Sequence, residues 1–204
     1  MGLALLLASP AKAANFDYYV LALSWSPSFC AETRNAEEAQ CSPGKRYAFV
    51  VHGLWPQYDR GWPEFCATPG YLPQSLIQKY LDIMPSKRLI LHEWRKHGTC
   101  SGLTAADYLA ETRYRFEKIR IPARYLSPMR NVEITPQGLI TDFIKTNPKL
   151  RPEHMQLDCG NRRSGRARLQ ELRICMDVEG DFTACSGASN QTCKADSLVL
   201  PPVR

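Results

Sequence analysis

The chain carries β-branched and aromatic stretches near its two ends and amphipathic stretches in its middle. The first kind of stretch predicts strands at 17–25, 46–52, 169–178 and 196–200. Apolar residues at helical spacing predict helices at 74–83, 88–97, 104–119 and 136–146. Strands placed early and late around a helical centre indicate an α+β fold, in which helices pack on one side of an antiparallel β-sheet in a single domain.

Residues 92–100 combine two histidines, a carboxylate and an ammonium group in the short stretch His-Glu-Trp-Arg-Lys-His-Gly-Thr-Cys. In a helix, Glu93 lies three residues before Lys96 and four before His97, so the three side chains project from one face. Such a cluster suits proton-transfer chemistry. The alternative is an amphipathic helix with a polar wet side, in which Trp94 packs inward and the histidines have no role.

A zinc site is a second chemical interpretation of this stretch, because the zincin motif His-Glu-x-x-His resembles it in composition. Here His92 and His97 are five residues apart. Five residues at about 100° each place the two side chains about 140° apart around a regular helix. We therefore expect no metal site and no cofactor. A hydrolase that used a metal on His92, Glu93 and His97 would be exposed by a chelator.

A second histidine follows the predicted strand 46–52. Gly53 and Pro56 are expected to break that strand, which leaves His52 at its end beside the large aromatic Trp55. A histidine in such a place is well positioned to face a substrate. Taken alone, it would more often be a strand-terminal histidine that hydrogen-bonds to backbone.

Cleavage of RNA needs the groups that these two stretches offer together. One base takes the proton of the ribose 2′-OH, an acid protonates the departing 5′-oxygen, and a cation offsets charge on the phosphate. Histidine suits both proton transfers because its ordinary pKa is about 6.5. The 2′-OH is already positioned beside the phosphorus, so the reaction requires no metal.

The stretches His52-Gly-Leu-Trp-Pro56 and 92–100 resemble, without a gap, the two active-site segments of the ribonuclease T2 family of secreted endoribonucleases. Residues 16–25 are similar to the family's first strand, and the cysteine spacing near the C-terminus is similar as well. The resemblance implies cleavage of single-stranded RNA with low base specificity. Transphosphorylation by the 2′-OH would leave 2′,3′-cyclic phosphate ends.

The same resemblance implies a role for each polar residue of the two segments. His52 and His97 would be the acid and base pair, with Glu93 and Lys96 supporting the transition state and His92 contacting phosphate. By family analogy, His97 takes the 2′-OH proton and His52 protonates the leaving group. A catalytically silent RNA-binding or toxin-like member is the second interpretation, but it would be favoured by loss of a histidine or of Glu93, and all are present.

Aromatic residues after the first segment fit RNA binding, because bases of single-stranded RNA commonly stack on aromatic rings. Trp55, Tyr58 and Trp62 are the candidates, although Trp55 is equally well interpreted as a core aromatic that fixes the nearby histidine. In similar proteins the residue after Trp-Pro is often an aspartate that recognises the base. Here it is Gln57, which hydrogen-bonds without charge, and Asp59 is a second candidate for that role.

The composition agrees with one globular enzyme that binds a polyanion. The chain has 204 residues, of which 44% are hydrophobic, and a formal net charge of +6. Nothing in it argues against a monomer. Five arginines form a candidate basic patch, which is equally well interpreted as a solvated loop: Arg162, Arg163, Arg166, Arg168 and Arg173. His154 lies in a predicted polar loop without a partner motif, and we assign it no role.

Eight cysteines are more than a reduced cytosolic enzyme of this size normally carries, so they indicate an oxidising compartment. No Cys-x-x-Cys pair suggests zinc. The residues alone allow 105 pairings. The family resemblance implies Cys66–Cys100, Cys175–Cys185 and Cys159–Cys193, which leaves Cys30–Cys41.

The N-terminus also indicates export. Gly2 to Ala8 is apolar and precedes Ala11-Lys12-Ala13, an A-x-A cleavage pattern, although no basic residue comes before the run. The run is shorter than the roughly 20 apolar residues that span a bilayer. We expect a signal peptide over 1–13, a catalytic domain over 14–204, and a secreted or periplasmic protein. Asn190-Gln191-Thr192 is a glycosylation pattern with meaning only in a eukaryotic secretory route.

Overall fold

Six strands and five helices are described in the computed structural model, which covers residues 16–32, 39–160, 166–186 and 193–203. The strands are β1 (Tyr18–Trp25), β2 (Phe49–Gln57), β3 (Val132–Ile134), β4 (Met155–Cys159), β5 (Arg166–Met176) and β6 (Ser197–Leu200). The helices are α1 (Ser26–Glu32), α2 (Gln74–Gln78), α3 (Lys87–Lys96), α4 (Ala105–Glu117) and α5 (Pro136–Thr146). No helix in these ranges is long and apolar enough to cross a membrane.

The strands form one sheet in the order β2-β1-β5-β6-β3, and β4 also pairs with β5. Neighbouring strands are antiparallel except for β5 and β6, which are parallel. The predicted α+β fold with a mainly antiparallel sheet is therefore confirmed. The strand β1 lies between β2 and β5, so these two strands meet only through side chains that reach across it.

The main hydrophobic core lies on one face of the sheet. Leu21 and Leu23 of β1 are fully buried there, in a cluster with Ile90 of α3, Leu109 of α4 and Phe143 of α5. Alternation along a strand sends every second side chain to the opposite face. The helices pack their core residues on the first face, and the opposite face of the sheet carries polar side chains.

A β-bulge at His52 changes the alternation along β2. Val51 pairs with Leu23 of β1 and Gly53 pairs with Ala22, so His52 is the extra residue. In regular alternation, the core residue Val51 would be followed by a core residue at position 53. Because of the bulge, the next core residue is Leu54. The bulge consequently places His52 and Trp55 on the same polar face, although they are three residues apart.

A second irregularity lies in the pairing of β4 with β5. Cys159 pairs with Leu169 and Asp158 with Glu171, so the register shifts by one residue at Gln170. Leu169 and Leu172 both lie in the core. The shift therefore moves Glu171 to the polar face that also carries His52.

The predicted end of the strand at 46–52 was wrong. Strand β2 continues through Gly53 and Pro56 to Gln57. It is an edge strand, where a proline's missing N–H group is tolerated because that side of the backbone has no neighbour to bond. The predicted helix 74–83 was too long, since α2 ends at Gln78 and a turn follows.

The other predicted elements lie within about three residues of their observed ends, whereas α1, β3 and β4 were not predicted. Four disulfides join the cysteines in the pairs that the family resemblance implied: Cys30–Cys41, Cys66–Cys100, Cys159–Cys193 and Cys175–Cys185. The expected signal peptide 1–13, the glycosylation pattern 190–192 and two arginines of the candidate patch, Arg162 and Arg163, lie outside the described residues.

Candidate active site

A cavity of about 520 Å³, called the cleft below, lies on the polar face of the sheet between β1, β2, β5 and helix α3. Its lining includes eight of the residues that the sequence singled out for catalysis or RNA binding: His52, Trp55, Gln57, Tyr58, His92, Glu93, Lys96 and His97. Arg173 lines it as well, together with the exposed aromatic Trp62. Two segments that are 40 residues apart in the chain are thus brought to one concave surface.

Local sequence explains how helix α3 presents its side chains to the cleft. Ser86 caps the helix, because its side chain accepts a hydrogen bond from the Leu89 N–H at 3.2 Å. Trp94 packs inward and is buried. His97 is the residue at which the helix ends, so Glu93 and His97 face the cleft one turn apart.

His52 is held by a carboxylate that the sequence analysis did not identify. Its Nδ1–H donates a hydrogen bond to Oε1 of Glu171, which is buried on β5. Arg173 donates to the other oxygen of Glu171 at 2.8 and 3.0 Å, and also to Asp158 at 3.0 Å. The Nε2 atom of His52 lies 3.6 Å from Oε1 of Glu93. His52 is thus fixed through Nδ1, and Nε2 is the nitrogen on the side of Glu93.

Trp55 connects the groups of the cleft. Its Nε1–H donates to Oε2 of Glu93 at 2.7 Å. Its ring centroid lies 5.2 Å from that of His52 and 5.4 Å from that of His97, and the Arg173 guanidinium lies 5.3 Å away. Both histidine rings therefore pack against the same indole, which supports a positioning role. The base-binding role of Trp55 stays a prediction.

A close backbone approach at Gly53 makes room for this arrangement. A Cβ atom at this position would lie 2.0 Å from Oε2 of Glu93 and 2.5 Å from Nε1 of Trp55. No side chain fits there without moving one of these two groups. Glycine at this position therefore allows the Trp55–Glu93 hydrogen bond to form against the backbone of β2.

The two histidines have opposite electrostatic surroundings. Burial alone would lower the pKa of His52, but the hydrogen bond from its ring to Glu171 and the charges of Glu171 and Glu93 raise it above 6.5. Burial lowers the pKa of His97 to about 3, and the positive charge of Lys96 adds to the effect. The Nδ1 atom of His97 is buried without a hydrogen-bond partner. His52 therefore keeps its proton to a higher pH than an ordinary histidine, whereas His97 is neutral well below neutral pH.

The two carboxylates beside His52, Glu93 and Glu171, also have opposite pKa shifts. Burial raises the pKa of Glu93, although His52 and Trp55 partly offset this. Burial alone would raise the pKa of Glu171 too, but His52 and Arg173 together lower it to about 2. Glu171 is therefore the charged partner of His52, while Glu93 is the more easily protonated carboxyl. Pairs of titratable groups with such divergent pKa values are typical of functional sites.

Lys96 and His92 line the opening of the cleft. Lys96 lies 3.7 Å from Glu64, which is itself largely exposed, so its ammonium group is only weakly engaged. His92 is exposed, but part of its ring is shielded from solvent, and this partial burial and the charge of Lys96 lower its pKa. Both side chains are accessible to a phosphate that enters the cleft.

The predicted base-binding residues differ in their availability. Gln57 lines the cleft but is buried, and its amide donates to the Pro56 carbonyl at 2.9 Å. Tyr58 and Trp62 line the cleft and are exposed. Asp59, the second candidate for base recognition, does not line it; its carboxylate accepts a hydrogen bond from Ser186 at 3.1 Å.

The basic patch was in part wrongly interpreted. Arg173 belongs to the site, where it pairs with Glu171 and Asp158, and Arg166 pairs with Glu133. His154 lies away from the cleft and is buried; its ring accepts a hydrogen bond from the Arg151 N–H at 3.2 Å. Among the described residues, no three His, Cys, Asp or Glu side chains are grouped as ligands for a metal ion.

Comparison with known proteins identifies the family. The Ribonuclease T2 family model matches residues 16–185. The chain belongs to the ribonuclease T2 family. A ribonuclease from Aeromonas hydrophila is 39% identical over 198 residues, which are 95% of this chain and 89% of that protein. A probable ribonuclease from Haemophilus influenzae is 32% identical over 184 residues, 83% of this chain and 61% of that protein.

The fold of the family is seen in a solved structure as well. The RNase-related protein from Calystegia sepium superimposes with a TM-score of 0.72 and 22% identity, covering 93% of this chain and 98% of that one. Membership of the ribonuclease T2 family supports endoribonuclease activity with RNA as the substrate.

Proposed function

We propose that this T2 ribonuclease cleaves single-stranded RNA by 2′-OH transphosphorylation, with His97 as general base and His52 as general acid. The observation that carries the proposal is the contrast between the two histidines in one cleft. His52 is hydrogen-bonded to the Glu171 carboxylate, whereas His97 is buried beside Lys96 without a partner for Nδ1. An acid must begin the reaction protonated and a base must begin it neutral.

The proposed reaction is a single transphosphorylation, from the 5′-oxygen to the 2′-oxygen. His97 takes the proton of the 2′-OH, and the 2′-oxygen forms a bond to phosphorus. The bond from phosphorus to the 5′-oxygen breaks, and His52 gives its Nε2 proton to that oxygen. The products are a 2′,3′-cyclic phosphate and a 5′-OH end.

Four neighbouring groups support these transfers. The Lys96 ammonium and, when protonated, His92 offset the negative charge that builds on the phosphoryl oxygens. Glu93, held by Trp55, lies beside Nε2 of His52 and supports the transition state at the leaving-group side. Glu171 is a positioning residue, because it fixes the ring of His52 through Nδ1 without facing the substrate.

Base recognition is proposed for the exposed aromatic residues of the cleft. Tyr58 and Trp62 offer ring surface to nucleobases, and a stacked base contributes about 1–3 kcal/mol. The amide of Gln57 is already engaged by the backbone. We infer low base specificity, because stacking accepts every base whereas a free charged or amide group would select among them.

We also propose that the protein acts outside the cytoplasm. Its four disulfides occupy all eight cysteines, and such bonds persist in oxidising compartments. The proposal includes the signal peptide 1–13 and the catalytic domain 14–204. Fractionation of the producing cells, with N-terminal sequencing of the exported protein, tests both statements.

Cleavage of single-stranded RNA in excess EDTA, followed by analysis of the product ends, tests the reaction. The parent is compared with His52→Ala and His97→Ala, and with His154→Ala as a matched histidine away from the cleft. We expect 2′,3′-cyclic ends from the parent and from His154→Ala, and loss of cleavage in the other two. Cleavage that EDTA abolishes would favour a metal-dependent hydrolase, and binding without cleavage would favour a catalytically silent homologue.

A further inference from the structure

The cleft is the first of three cavities along the polar face of the sheet. A middle cavity of about 890 Å³ shares His52 and His92 with the cleft. A remote cavity of about 740 Å³ shares Gln40 with the middle cavity. Since each cavity shares lining residues with the next, the three are neighbours in a path that starts at the proposed catalytic histidines.

Positive charge continues along this path. Lys87 and Arg95 line the middle cavity, and Lys45 and Arg168 line the remote one. No aspartate or glutamate among the described residues lines either cavity. A surface of this kind attracts an acidic protein segment as well as RNA. Charge alone therefore does not decide between these two occupants, and the aromatic content of the lining has to do so.

Lys45 and Arg168 are available to bind an anion. Both are exposed. Arg166, two residues before Arg168 on β5, pairs with Glu133, whereas neither Lys45 nor Arg168 forms an ion pair with a carboxylate in the described part of the chain. Their charges are therefore not offset by a fixed partner there.

The lining of the remote cavity suits a nucleobase. Tyr47 lines it together with Pro27, Pro201 and Pro202 and is only partly buried. The cavity thus combines an aromatic ring with two cations, and these groups suit single-stranded nucleic acid, because bases stack on the ring while the cations contact the backbone. The aromatic residue favours RNA over an acidic peptide as the occupant.

We propose that the remote cavity is a further RNA-binding subsite, in which Lys45 and Arg168 contact backbone phosphates and Tyr47 stacks a base of the strand being cleaved. The inference rests on the proposed function. Arg168 lies three residues before Glu171 on β5, which is about 10 Å along a strand, and the middle cavity lies between. A dinucleotide in the cleft leaves this subsite empty, whereas a longer strand reaches it.

The test compares substrates of two lengths. The quantity measured is the ratio of kcat/KM on an oligouridylate of about 20 nucleotides to kcat/KM on the dinucleotide UpU. In the double variant Lys45→Ala/Arg168→Ala we expect this ratio to fall about three- to tenfold at low salt. The slope of log KM for the long substrate against log salt should become shallower by about 1.4, which corresponds to two lost phosphate contacts on a single strand.

A matched double variant controls for net charge. Lys79→Ala/Arg120→Ala removes two exposed cations that line none of the three cavities, and it should keep the ratio of the parent. An unchanged ratio in Lys45→Ala/Arg168→Ala, or an equal fall in both double variants, would overturn the proposal.

Failure of the proposed function gives a different result. In that case the parent cleaves neither substrate, and the anisotropy of a fluorescent 20-nucleotide RNA still tests the subsite. Weaker binding by Lys45→Ala/Arg168→Ala than by the parent and by Lys79→Ala/Arg120→Ala would support it. Equal binding by all three proteins would overturn it.

Discussion

His52 donates a hydrogen bond from Nδ1 to Glu171, although the two residues are 119 positions apart and lie on strands that do not pair. The strand β1 runs between them. Its residues on the polar face at this level, Ala22 and Ser24, have small side chains that leave room for the contact. Two shifts of register, at His52 and at Gln170, turn the two partners to the same face. The His52–Glu171 pair is thus a product of strand register.

Replacement of Glu171 by glutamine tests its role as a positioning residue. Glu171→Gln removes the charge that raises the pKa of His52 but keeps a side chain of the same shape. We expect kcat to fall by about 10- to 100-fold, since general acid catalysis contributes about 10²–10⁴, with little change in KM. The alkaline limb of the pH–rate profile should move to lower pH. Steady-state kinetics between pH 4 and 9 provide both readouts.

Ser24→Ala is the matched control for this variant. The Ser24 hydroxyl also lies within 3.5 Å of Oε1 of Glu171, yet its removal leaves the carboxylate charge in place. The alkaline limb should therefore stay where it is in the parent. A fall in activity of Glu171→Gln with no movement of that limb would show a merely structural role for the carboxylate.

The opposite pKa shifts of the two histidines predict a broad pH profile of kcat/KM. As the proposed base, His97 must be neutral, and its pKa is lowered to about 3, so activity should be lost only as the pH falls well below 6.5. As the proposed acid, His52 must be protonated, and its pKa is raised, so activity should be lost as the pH rises above 6.5. The pH dependence of kcat/KM, measured with subsaturating UpU, reports the pKa values of these two groups in the free enzyme.

The variant Lys96→Gln adds a second check on this assignment. Lys96 lowers the pKa of His97 through its charge, so the acidic limb should move to higher pH when that charge is removed. The alkaline limb should move less, because Lys96 is not among the groups that shift His52. Movement of the alkaline limb alone would reverse the roles of the two histidines.

Much of the site could be predicted because its residues are close together in the sequence. Glu93, Lys96 and His97 share one helix face, and helical periodicity places them correctly. His52 was recognised by its neighbours rather than by its strand, whose predicted end was wrong. The edge position of β2, which allows Pro56 inside it, is a property of the sheet order and is not visible in the local sequence.

Glu171 could not be assigned from local patterns, because its partner lies on another strand and depends on two shifts of register. One signal was present. Glu171 and Arg173 are charged residues two apart in a strand that also carries Leu169, Leu172 and Ile174. A buried charge requires a partner, so the pair marks a polar function on one face of that strand. The identity of the partner still required the fold.

We expect replacement of Arg115 to have a large effect on stability and a small effect on activity. It is fully buried on α4, pairs with Glu111 at 2.6 Å, donates to two backbone carbonyls of residues 177 and 178, and lies 4.4 Å from the ring of Tyr19. Arg115→Ala should lower the free energy of unfolding by about 3–5 kcal/mol. Urea unfolding with the disulfides intact measures this.

The neighbouring Arg113 on the same helix is the control. It pairs with Asp82, which is 61% exposed, so Arg113→Ala should cost about 1 kcal/mol or less. Equal losses in Arg113→Ala and Arg115→Ala would contradict the view that burial decides the difference. Both variants should retain the KM of the parent, since neither residue lines the cleft.

Gly53→Ala separates the geometry of the site from the stability of the fold. A methyl group at this position would lie 2.0 Å from Oε2 of Glu93, so Glu93 or Trp55 must move. A displacement of about 1 Å in a catalytic group costs about 100-fold in rate, and we expect a loss of kcat/KM of that order. Gly70→Ala is the control, because a Cβ atom there meets nothing within 4 Å, and it should keep the activity of the parent. Full activity in Gly53→Ala, with both variants folded by circular dichroism, would show that the Trp55–Glu93 contact is dispensable for cleavage.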